Sequence, residues 1–197
     1  MTEEAVRAIF FKNYSGGSLN EALIATIEEL SLAVIRECVG EERVLPDIVK
    51  TIEIGKSRIG LFGRIKDGVS PMLPMSFIVH FDEIRKAMVD VLVYMHDNFE
   101  AADPAFRQSF TKEDLADMAS EITLAMEKGG QRPVNVRAFH SSELMLYDEI
   151  FDQALMGIIG LEPYQRFAQE YNRCTTVLEQ CQTQGQLLRH MKPGKAS

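Results

Sequence analysis

Positive charge is what this sequence has little of. Its 21 Lys and Arg stand against 29 Asp and Glu, which leaves a net charge of −8 over 197 residues. A nucleic-acid partner held by counterion release needs a basic stripe. Here the basic residues are scattered, apart from Lys50, Lys56, Arg58, Arg64 and Lys66. No nucleic-acid partner is expected. Long apolar runs are missing too, and nothing approaches the ~20 residues that a membrane span requires. The opening "MTEEAVRAIFF" carries acids where a secretory signal carries positive charge. Cysteine is sparse and odd in number, with Cys38, Cys174 and Cys181 forming no CxxC pair. Reduced thiols in a cytoplasmic protein are the expectation.

What is present is an ordinary globular composition, 46% hydrophobic and 25% charged. No repeat of 20 to 50 residues recurs, and Gln is only mildly enriched after Pro163. A chain of this length buries roughly 70% of the surface its unfolded form exposes. The expectation is a single helical domain over residues 1–190, with 191–197 as a flexible tail because "MKPGKAS" has no apolar anchor.

The helix signals are local and specific. A helix near Glu3 to Tyr14 precedes "SGGS", and "SLNE" (Ser18 to Glu21) reads as a capping box. Leu19, Leu23, Ile27, Leu30 and Val34 then share a face until Gly40. Phe77, Phe81, Ile84, Met88, Val91, Met95 and Phe99 repeat at three and four, the longest stripe, with Ser70-Pro71 as a start signal. Asp103-Pro104 opens a short helix, and Thr111 caps another that stops at Gly129-Gly130. After a loop, "QRPVNVRAF", a helix runs from about Ser142 to Ile159 and closes at Gly160. The last helix begins at Pro163. The fold class is therefore mainly α, a bundle of about six to eight helices.

Arg43 to Ser70 is ambiguous. As a helix, Ile48, Ile52, Ile59 and Phe62 share a face, but Gly55, Gly60 and Gly63 each cost about 1 kcal/mol there. As a small β-hairpin over residues 50–66, Ile52 and Ile54 line one strand and Ile59, Leu61 and Ile65 the other. Both readings stand at the level of sequence.

The same segment holds "TIEIGKS", Thr51 to Ser57, which ends as a phosphate-binding loop ends. That motif, G-x-x-x-x-G-K-[ST], needs glycines so that successive backbone N–H groups wrap the phosphates. Lys50 stands where the first glycine belongs, and Glu53 would direct negative charge at phosphate. The motif fails, which leaves a turn or helix surface with a solvated Lys56.

Metal chemistry has a weak foothold. His80, His96 and His140 are followed at helical spacing by Glu83, Glu100 and Glu143. Bundle di-metal sites use Glu-x-x-His from facing helices. Here the order is reversed, and His96 lies about 100° from the apolar stripe of its helix. A metal- or haem-binding bundle enzyme or sensor is thus the alternative reading, and no cofactor or metal is expected on the leading one.

Nucleophilic catalysis has less support. Cys174 and Cys181 lie seven apart on an apolar seam and read as small buried hydrophobes. Cys38 ends a helix, where the partial negative charge raises a thiol pKa. There is no G-x-S-x-G elbow, and the pairs Asp82-Glu83 and Asp148-Glu149 read as solvated surface. No catalytic residue nominates itself.

Interaction surfaces are the remaining option. Ten methionines, many in helical stripes, suit either core filling or adaptable contact. Phe167, Tyr171, Cys174, Leu178, Cys181 and Leu188 form a heptad-like seam about 22 residues long, fit to pack on one neighbour from this chain or a second. Lys56, Arg58 and Arg64 make a locally positive segment in an acidic chain. The expected function is a non-enzymatic adaptor, chaperone-like or regulatory protein whose partner is another protein or a second copy of itself.

Overall fold

The computed structural model describes residues 1–14, 19–40, 45–67, 75–129 and 136–191, and their side chains apart from those at 20, 60–67, 75–80, 129, 136–141 and 185–191. Among the described residues the structure is helical and without strands: α1 (Glu3–Asn13), α2 (Leu19–Val39), α3 (Asp47–Asp67), α4 (Met75–Asp97), a 3-10 turn (Phe99–Ala101), α5 (Pro104–Ser109), α6 (Lys112–Gly129), α7 (Val136–Ile159) and α8 (Leu161–Met191). Among them, no helix is long and apolar enough to cross a membrane. The chain divides into two compact units, one of Met1–Arg43 with Gln165–Ser197 and the other Val44–Tyr164.

The helix ends have local causes. Thr2 accepts from the Ala5 N–H at 3.2 Å and starts α1. Thr111 and Asp114 cap α6 reciprocally, the Asp114 N–H donating to Thr111 Oγ1 at 3.1 Å and the Thr111 N–H to Asp114 Oδ2 at 2.8 Å. Gly40 and Gly160 take φ of 92° and 95°, the left-handed conformation that ends α2 and α7. Asp103 serves two helices. Its Oδ1 accepts from the Ala105 N–H at the start of α5, and its Oδ2 from the Leu161 N–H at the start of α8. Ser18 of "SLNE" and the start signal at Ser70-Pro71 lie outside the described residues.

In the unit Val44–Tyr164, α4 is the central element, packing against α3, α6 and α7. Ile84, Met88, Val91, Leu92 and Met95 are buried along it. In the other unit, α1 packs on α2, and Val6, Phe10, Leu30, Val34 and Ile35 are buried.

One open choice is decided and two expectations are corrected. The hairpin at 50–66 does not form, since α3 is helical throughout. The reason is tertiary. A Cβ at Gly55 would stand 2.5 Å from Cζ of buried Phe151, so glycine permits a close approach of α3 to α7, which offsets its poor helix propensity. Second, α7 begins at Val136 rather than near Ser142, which takes in the end of the expected loop. Serine favours helix starts, which is how Ser142 reads, but it is also tolerated inside a helix. Third, Phe99 leaves the α4 stripe for the 3-10 turn, beginning just after Asn98, whose backbone N–H and side-chain amide both donate to the Tyr94 carbonyl.

Candidate functional site

Chemistry-bearing side chains concentrate on α7, in two clusters about one turn apart. The first joins α7 to α4. Arg85 grips Glu143 with two nitrogens, Nε to Oε1 at 3.0 Å and Nη2 to Oε2 at 3.3 Å. The Tyr147 hydroxyl donates to the same Glu143 Oε1, and the guanidinium lies 4.2 Å from the Phe81 ring centroid. Burial works against the charge on Arg85, but the hydrogen bonds and charge of Glu143 prevail and raise its pKa. Burial, then Glu143, pushes the Tyr147 phenol up. One cation meets one anion, and both carboxylate oxygens accept hydrogen bonds.

The second cluster joins α7 to α3 and the first turn of α8. Lys56 donates to Asp152, and Asp148 Oδ1 lies 4.0 Å from the same Nζ. Asp148 and Asp152 are four apart and share a face of α7. Tyr164 hydrogen-bonds Asp152, and burial, then Asp152, holds its phenol well above the usual range, with Glu53 adding to the effect. Partial burial raises Asp148 above the ordinary carboxylate range. Lys56 opposes that shift and Asp152 reinforces it. The cluster is acid-rich around a single lysine.

These contacts settle what "GKS" does. Gly55 admits Phe151, Lys56 reaches Asp152, and the Ser57 hydroxyl donates to the Glu53 carbonyl at 2.6 Å. The expected solvated lysine is corrected: its side chain is 17% exposed and directed at carboxylates. Asp148, expected on the solvated surface, is half-buried beside it. Arg58 Nε stands 3.3 Å from Glu83 Oε2. The locally positive segment is thus internally paired at Lys56 and Arg58, while the Arg64 side chain lies outside the described residues.

The C-terminal seam turns inward. Phe167, Cys174, Leu178 and Cys181 are buried, and Tyr171 is half-buried and stacked on Phe167 at 5.4 Å between ring centroids. This is the intramolecular form of the packing that the heptad spacing suggests. α1 holds the seam through Arg7, which donates to Gln180 Oε1 at 2.8 Å and approaches Cys181 Sγ at 3.8 Å. The end of α2 holds it through the Cys38 carbonyl, which accepts from Arg166 at 2.9 Å. The Leu188 side chain lies outside the described residues. All three cysteines are buried and free of disulfides, and burial raises each thiol. For Cys38 the direction matches the expectation, but its cause is burial, with Arg166 opposing it.

The six residues of the alternative metal reading go separate ways where they are described. Glu83 pairs with Arg58, Glu143 with Arg85, and Glu100 lies 3.8 Å from Arg107. His96 Nδ1 lies 2.9 Å from Asp97. The side chains of His80 and His140 lie outside the described residues. Among those described, no three His, Cys, Asp or Glu side chains converge on a metal position.

Sequence reading missed Arg85, Tyr147, Asp152 and Tyr164. Arg85 left a signal, because it stands four after Phe81 and three before Met88, inside the apolar stripe of α4. A charge at that register needs a buried partner. Tyr147 stands four after Glu143 on one helix face, a pairing that becomes specific only once Arg85 is in place, and Asp152 left no signal because Lys56 is distant in sequence.

α7 also presents a face to solvent. Ser142, Met145, Leu146 and Glu149 are exposed at steps of three and four, opposite buried Tyr147, Phe151, Ala154 and Leu155. Met145 is 74% exposed and Leu146 49%. Comparison with protein families, with curated proteins and with solved structures finds no match to this chain.

Proposed function

We propose that this protein is a non-enzymatic helical adaptor, chaperone-like or regulatory protein that works by binding another protein. The reading rests on the adjacent exposed side chains of Met145 and Leu146, on the solvent face of a helix whose opposite face is core. Methionine adapts its shape to varied partners, and a flanking leucine adds apolar area at little conformational cost. Two further features support it. Phe167, Cys174, Leu178 and Cys181 of the α8 seam are buried within the chain, which favours contact at other surfaces. Within each α7 cluster the ionisable groups pair with one another, which ties α7 to α4 and to α3.

The test is quantitative affinity capture from the native source with wild type and with the double variant Met145→Asp, Leu146→Asp. Circular dichroism should show unchanged helicity, because both side chains are exposed. The variant should lose the partner that wild type retains. Equal recovery by both proteins would overturn this reading.

A further inference from the structure

We draw no further inference here: the strongest candidate, the outward face of α6 where Glu113, Asp117, Glu121 and Glu127 surround exposed Leu124, is an acidic surface patch with no second observation in the structure that points to a ligand.

Discussion

The two clusters on α7 use the same ingredients to different ends. At Arg85–Glu143–Tyr147, charge is balanced, two nitrogens meet two oxygens, and the pair is nearly out of solvent. At Lys56–Asp148–Asp152–Tyr164, one cation faces two aspartates, and Asp148 remains half-exposed. Buried ion pairs gain little over apolar packing when complete, but removing one partner strands a charge. Partly exposed pairs are screened and worth little either way. The first cluster therefore fixes how α4 meets α7. The second tolerates change and carries the pH response.

The largest effect should come from breaking the balanced cluster. Glu143→Ala leaves the Arg85 guanidinium buried without its carboxylate and should cost about 3–5 kcal/mol in urea unfolding. Adding Arg85→Met to a Glu143→Leu chain should recover most of that loss, since the stranded charge is gone. If Glu143→Ala alone costs less than about 1 kcal/mol, a value typical of exposed pairs, the two clusters do not differ as described.

Gly55→Ala comes next, and its sign is the informative part. Helix propensity alone gives a gain of about 1 kcal/mol. The approach of Phe151 instead makes the methyl an overpacking change, with an expected loss of about 1–2 kcal/mol. Phe151→Leu in the Gly55→Ala background should remove that excess, measured as a double-mutant cycle.

The smallest effect sharpens the acid-rich cluster. A carboxyl whose pKa rises on folding binds its proton more tightly in the folded chain. For Asp148, folding is therefore favoured as pH falls through the folded value, and the gain is complete below the ordinary 3.8. Asp148→Asn should stabilise by only about 0.3 kcal/mol at neutral pH, because solvent screens a half-exposed group. It should also remove this contribution to the pH profile. Thermal melts of both chains between neutral pH and 4 test this, and identical pH dependence would contradict it.

How much was legible follows the reach of each cause. Thr111, Asp103-Pro104, Gly40 and Gly160 act within a few residues, and their helix ends stand where the spacing places them. Gly55 and Lys56 could not be read locally, because Phe151 and Asp152 lie about a hundred positions away in the chain and decide both. The heptad step from Phe167 to Cys181 showed a seam but not its direction. Spacing alone does not distinguish packing on this chain from packing on another. Arg85 was legible only as an anomaly in an apolar stripe, without its partner.

The central functional claim is that ion-paired Lys56 serves the fold, whereas exposed Met145 and Leu146 serve binding. Quantitative capture with wild type, Lys56→Met and the Met145→Asp, Leu146→Asp double variant tests it most directly, once folding of each is verified. The expected result is that Lys56→Met keeps the partner and the double variant loses it. Retention of the partner by the double variant, or its loss by folded Lys56→Met, would contradict the account.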